Sequence, residues 1–292
     1  MSLSGAVWYC RGTACRAPTG MVLRYSLIMP MNFISSPNNP RIKEIVRLRD
    51  ASYRKEKGLF IIEGLREVQL ALRAGFKARE IYLCPEFLDT RQKADFDFKA
   101  RDTEIIELDR KAYEKMAFGE RKEGVIAVAK DSGIGLKDIK IKPKSLIMVL
   151  EGLEKPGNLG AIARCADAAG VRVLIAADTK VDIYNPNAIR SSLGAIFSVK
   201  TLKESSVKVI AWLKANNIKI VSAIVSADMD YTQVDFNQSL AIVLGSEEKG
   251  LSRIWRDNSD YQVSLPMAGE ADSLNVAVTG GILLYEALRQ RR

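Results

Sequence analysis

Two kinds of apolar pattern alternate along the chain. In its second half, "SLIMVLEG", "VRVLIAA", "IKIVSAIVSA", "SLAIVLGS" and the shorter "YQVSLPM" are nearly unbroken Val, Ile and Leu runs. Such runs fit strands of a parallel sheet covered on both faces. Between them lie stretches with apolar positions three and four apart, in "NPNAIRSSLGAI", "VKVIAWLKANN" and "SLNVAVTGGILLYEALRQRR". A further helix is expected from Asn158. Strand and helix in alternation predict a doubly wound α/β domain, whose ligands bind where the strands end.

The first half has a looser pattern. "SPNNPRIKEIVRLRD" places Pro40 in a first helical turn, with Ile42, Ile45, Val46 and Leu48 at helical spacing. "GLFIIEG" reads as a strand, and "LREVQLALRAG" as a helix ended by Gly75. "EIYLC", "EIIELD" and "GVIAVAK" read as more strands, giving a small α/β sandwich. "GIGLKDIKIKPKS", residues 133–145, has linker composition. The expected organisation is a tail or upstream extension over residues 1–31, a small domain over 32–142, and a larger one over 145–292.

Charge separates these parts. The net +9 of the 292-residue chain divides into +3 over residues 1–30, +6 over 31–144 and zero over 145–292. A basic front half suits a polyanionic partner such as RNA, with Arg41, Lys43, Arg54 and Lys55 as candidate phosphate contacts. The same residues also suit a solvated helix face. No apolar run approaches the roughly 20 residues of a membrane span. The four cysteines form no Cys-x-x-Cys pair, which argues against a zinc site and for a reducing cytoplasm. The chain has no histidine, so Ser-His-Asp, Cys-His and His-metal chemistry are excluded.

Three loops of the second half carry the chemistry. In "EGLEKPGNLGAIARCADAAG", Asn158 stands as an N-cap before a helix of small residues suited to close packing, with one long cation, Arg164. On local grounds Arg164 pairs with Asp167 three residues on. In "LAIVLGSEEKGLS", Glu247 and Glu248 argue against phosphate, and neither a P-loop nor a dinucleotide fingerprint is present. This loop suits a partner rich in donors, or is a plain turn. In "LPMAGEADSLNVAVTGGILLYEALRQ", Ser273 is expected to cap a helix with Asn275 in its first turn. Gly280 and Gly281 inside that helix cost about 1 kcal/mol each against Ala, as is tolerated where another backbone approaches closely.

Taken together and in this order, the loops resemble the three motifs of the SpoU/TrmH-type RNA 2′-O-ribose methyltransferases of the SPOUT superfamily. Asn158-Leu-Gly-Ala-Ile-Ala-Arg164 resembles motif 1, Leu244-Gly-Ser-Glu247 to Gly250-Leu-Ser motif 2, and Leu265-Pro-Met-Ala-Gly with Ser273-Leu-Asn275-Val motif 3. "SPNNPRIKEI" and "LFIIEG" are similar to the small substrate-binding domain often fused in front. The resemblance runs from about Asn32 to the C-terminus. It implies an α/β domain with a deep trefoil knot, an exception to ordinary connection rules. It also implies S-adenosylmethionine as cofactor, held by Leu244, Gly245, Leu265, Met267 and Leu274, and a homodimer with its active site beside the interface. The implied catalytic set is Arg164 with Asn158, Glu247, Ser273 and Asn275, and no metal.

Free arginine is essentially never deprotonated. Arg164 is therefore expected to hold a phosphate and orient the 2′-OH, although a base role stays open. Asn158 and Arg164 stand about 120° apart on a helical wheel. Glu248 departs from the glycine often found there in the family. Family analogy favours rRNA over tRNA as substrate. Base methylation and a non-catalytic ribosome-assembly factor are the competing readings, and the intact polar motif residues speak against the latter.

Overall fold

The structure is a computed structural model that describes residues 32–89, 103–119 and 122–292. The expected tail over 1–31 lies outside the described residues.

Residues 32–130 build a mixed five-stranded sheet. In chain order the unit runs β1 (Asn32–Ile34), α1 (Pro40–Arg47), α2 (Ala51–Lys57), β2 (Leu59–Glu63), α3 (Leu65–Arg73), β3 (Ala78–Leu83), β4 (Glu104–Leu108), α4 (Arg110–Met116) and β5 (Val125–Lys130). The strand order is β1-β4-β3-β5-β2, with β5 antiparallel to both its neighbours. Pro40 opens α1 as expected, and the Asn39 side chain caps it through Arg41 N at 2.9 Å.

The rest of the chain builds a seven-stranded, wholly parallel sheet. It comprises β6 (Leu146–Glu151), α5 (Pro156–Ala168), β7 (Val173–Ala177), α6 (Pro186–Ser192), α7 (Ala195–Ser198), β8 (Lys200–Glu204), α8 (Ser206–Ala215), β9 (Lys219–Ala223), β10 (Met229–Asp230), β11 (Leu240–Leu244), α9 (Arg253–Asn258), β12 (Tyr261–Ser264) and α10 (Val276–Gln290). The order is β10-β12-β9-β11-β6-β7-β8, with every pair parallel. The central strands β6, β7 and β11 are buried along their whole length, as their unbroken apolar runs require.

One apolar core joins the two sheets. Phe60 of β2 stacks on Tyr184, with ring centroids 4.1 Å apart and planes 8° apart, and Phe76 and Phe197 close the cluster edge-on at 5.2 Å. The segment over 133–145 is anchored too, since Ile134, Leu136, Ile139 and Ile141 pack against the larger sheet.

Three expectations are corrected. The helix of small residues begins at Pro156, with Lys155 as its N-cap, because proline suits N1 and leaves no amide to satisfy. The last helix is capped by Asn275, whose Oδ1 accepts from Ala277 N at 2.9 Å, so Ser273 precedes the cap. The single helix expected over "NPNAIRSSLGAI" is broken in two by Leu193 and Gly194, both left-handed at φ 50° and 82°.

The expectation of a lean, closely packed helix holds for α5. A Cβ on Gly160 would stand 2.4 Å from the Ala188 carbonyl and 2.8 Å from Ser192 N, so α5 and α6 touch backbone to backbone. On α10 the close neighbours are side chains rather than backbone. A Cβ on Gly280 would meet Leu244 at 3.1 Å, and one on Gly281 would meet Cys165 Sγ at 3.6 Å.

Candidate active site

The three loops converge at the carboxyl ends of β6, β9, β11 and β12. Glu247 is the hub. Its Oε1 accepts from Asn158 Nδ2 at 2.7 Å and from Asn275 Nδ2 at 2.8 Å, and its Oε2 pairs with Lys155 Nζ at 2.7 Å. One carboxylate thereby ties the start of α5 and the start of α10 to the loop after β11. The Lys155 hydrogen bond, followed by that of Asn158, holds Glu247 below the usual carboxylate range. The donor-rich partner expected for this acidic loop is thus internal. Sequence reasoning missed Lys155, whose only signal was its place one turn before Asn158.

A second carboxylate fastens the same loop from below. Glu151, buried at the end of β6, accepts from Ser252 N at 2.7 Å and from Ser252 Oγ. Between these ties the chain doubles back tightly. A Cβ on Gly245 would lie 2.1 Å from Gly250 C, so no side chain fits there. Glu248 is exposed and lines the cleft beside this crossing.

Beside the hub opens a cleft of about 370 Å³. All five residues expected to hold the cofactor, Leu244, Gly245, Leu265, Met267 and Leu274, line it, and Ser273 does too. Its walls mix apolar side chains such as Ile224, Leu251 and Val263 with polar and charged ones such as Glu248, Lys249 and Asp272, and Arg256 is turned onto the Leu251 carbonyl at 3.0 Å. A concave site that combines apolar side chains with polar and charged ones fits a nucleoside-type ligand. Among the described residues no group of three His, Cys, Asp or Glu side chains is placed to hold a metal ion.

Arg164 is not in this constellation. It is exposed and lines a separate cleft facing the first unit, with Asp167. The two form no ion pair. Six residues of helix carry it about 9 Å along the axis from Asn158 and round to another face. Asn158, Glu247 and Asn275 are therefore brought together in one chain, Ser273 stands in the neighbouring cleft, and Arg164 stands apart.

The basic residues of the first unit also divide. Lys43 and Lys55 are exposed. Arg41 closes its fork on Glu104 at 2.8 and 3.0 Å. The expectation for Arg54 is overturned. Its side chain is 4% exposed, pairs with Asp182 at 2.6 Å and donates to the Leu48 and Arg49 carbonyls. A guanidinium turned inward in this way holds the two units together and offers nothing to a phosphate.

Residues 145–285 match the SpoU rRNA Methylase family, and residues 39–127 match the MRM3-like substrate binding domain. Over 253 residues the chain is 34% identical to the 23S rRNA (uridine(2479)-2'-O)-methyltransferase of Streptomyces viridochromogenes, covering 84% of this chain and 87% of that protein. The crystal structure of the SpoU methyltransferase AviRb from Streptomyces viridochromogenes, in complex with the cofactor AdoMet, superposes with a TM-score of 0.79 at 32% identity, covering 87% of this chain and 98% of that one. An AdoMet-bound rRNA methyltransferase from Sinorhizobium meliloti superposes with a TM-score of 0.80 at 28% identity, covering 89% and 98%.

Proposed function

The chain belongs to the SpoU rRNA methylase family, and we propose that it transfers the methyl group of S-adenosylmethionine to a ribose 2′-OH of 23S rRNA. The observation that carries this reading is the Asn158–Glu247–Asn275 cluster beside the cleft, built from the three motif loops. When bound, the cofactor supplies a methyl already activated on a sulfonium, so the protein's task is mainly alignment.

Leu244, Gly245, Leu265, Met267 and Leu274 would hold the cofactor. Glu247 fixes the shape of the slot by locking three loops to one another. Ser273, which lines the same cleft, would help orient the substrate ribose. Arg164 holds a phosphate of the substrate and orients the 2′-OH, as an always-charged planar fork is suited to do.

A second copy of the chain completes the site. Supporting this, α10 exposes Val278 and Tyr285, two turns apart at 50% and 53%, next to the small residues of α5. Exposed apolar side chains on one face suit an isologous contact. Such a contact leaves Arg164 at its edge, where it faces the partner subunit's cleft. The folding back of the chain at Gly245 and the close seat of α10 support a knotted C-terminal domain over 145–292, with 32–142 as the substrate-binding domain. The enzyme works where ribosomes are assembled, in the cytoplasm.

Three measurements test the methyl-transfer reading. Calorimetric titration with S-adenosylmethionine should give saturable binding, and the pure enzyme should place a 2′-O-methyl group on unmodified 23S rRNA. Arg164→Ala should cut turnover at least a hundredfold with cofactor binding intact. No cofactor binding, or a methyl group found on a base, would refute the assignment.

A further inference from the structure

The cleft that contains Arg164 is a built feature in its own right. It has a volume of about 210 Å³ and lies between the two units. Arg66 and Arg73 of α3 form one wall, Arg164 and Asp167 of α5 the other, and Ser192 at the end of α6 with Leu193 of the following turn the floor. Arg66 and Arg73 are seven residues apart, so they share one face of α3 at about 10 Å along its axis.

All three arginines are exposed, and none forms an ion pair or hydrogen bond with a described residue. Other arginines differ, as Arg41 closes on Glu104 and Arg54 on Asp182. Among the lining residues Asp167 is the one carboxylate, so the cleft is cationic. Like charges gathered in a concave site raise the local potential and draw in an anion. The guanidinium fork matches phosphate oxygens in geometry.

The walls are held in place. Leu193 takes the left-handed conformation at φ 50°, a strained state for a leucine. The next residue, Gly194, is pressed so closely by α3 that a Cβ there would lie 2.7 Å from Leu70 and 3.2 Å from the Glu67 backbone. The strained turn thus sets the distance between the arginines of α3 and Arg164.

We propose that this cleft grips the phosphate backbone of the substrate RNA, with Arg66 and Arg73 carrying the hold of Arg164 onto the first unit. The proposal rests on the RNA methyltransferase reading and adds the path that the strand takes. The test compares the full-length protein with an Arg66→Ala/Arg73→Ala variant, using in vitro transcribed, unmodified 23S rRNA as probe. Binding is measured over a series of KCl concentrations.

Each single-strand phosphate contact contributes roughly 0.7 to the slope of log K against log salt, so losing two should flatten it by about 1.4. KM for RNA should rise while kcat and the affinity for S-adenosylmethionine stay near the parent values. Arg66→Lys/Arg73→Lys, which keeps the charge, should restore the slope. An unchanged slope and KM in the alanine variant would overturn the proposal, as would a loss that the lysine variant fails to restore. Failure of the parent protein to bind S-adenosylmethionine would instead remove the methyltransferase reading.

Discussion

Asn275 Oδ1 accepts from Ala277 N at 2.9 Å, and its Nδ2 donates to Glu247 Oε1 at 2.8 Å. The two contacts are separable. Asn275→Asp keeps a good helix cap but removes the donor and sets a second carboxylate against Glu247. Asn275→Ala loses both contacts, with the cap worth about 1 kcal/mol. Turnover should therefore fall at least as far in the aspartate variant as in the alanine one, although only the alanine variant loses the cap. Methyl-transfer assays beside calorimetric melts check this, and a fully active aspartate variant would contradict it.

A different carboxyl sets a pH dependence. Glu63 ends β2 among Glu67, Glu123, Arg49 and Arg190, and burial pushes it up to about 7. Its Oε2 accepts from Phe118 N at 2.7 Å, but Oε1 is buried with no partner. A raised acid pKa means that the folded chain holds the proton more tightly. Its stabilising contribution is complete below the unfolded value of 4.5 and is lost as pH rises to about 7. Glu63→Gln should be near neutral at pH 4 and more stable by roughly 2–3 kcal/mol at pH 8. Melting curves across that range decide it. At this scale the sequence revealed the motif residues but not Arg54, because its partner Asp182 lies 128 positions away.

Among the elements, the long strands were legible because burial on both faces leaves an unbroken apolar run, and the longer helices because their apolar positions recur three and four apart. β8 was not, since this edge strand, Lys-Thr-Leu-Lys-Glu, has Leu202 as its one apolar residue, and β1 and β10 are too short to carry a pattern. The starts of α5 and α10 were misplaced for a shared reason. Asn158 looked like a cap but is taken by Glu247, and Ser273 looked like a cap where Asn275 does that work. The glycines give a prediction of opposite outcomes. Gly160→Ala would force a Cβ into the Ala188 carbonyl and should cost about 1–3 kcal/mol or more. Gly281→Ala meets only Cys165 Sγ at ordinary contact distance and should be neutral or stabilise by up to about 1 kcal/mol. Denaturant unfolding of the two variants tests the contrast, and equal losses would remove the packing account.

For the whole molecule, the front-loaded charge and the two-part pattern were readable, but the shared core between the parts was not. Nothing local in "GLFIIEG" says that Phe60 will lie flat on Tyr184. The second-copy reading also belongs to this scale. Tyr285→Asp places a charge on the exposed apolar face of α10 and should shift the protein toward monomer in sedimentation experiments, with turnover falling alongside. An unchanged sedimentation profile would place any dimer contact elsewhere.

The aromatic stack has one more consequence, for engineering. A front unit swapped in from a relative keeps this joint only where it brings a flat ring to lie on Tyr184 and an inward arginine for Asp182. Retargeting the enzyme to another RNA therefore calls for transplanting Phe60, Phe76 and Arg54 along with the donor's recognition surface. A chimera cut at the linker alone would carry its new reader loosely, like a stylus without an arm.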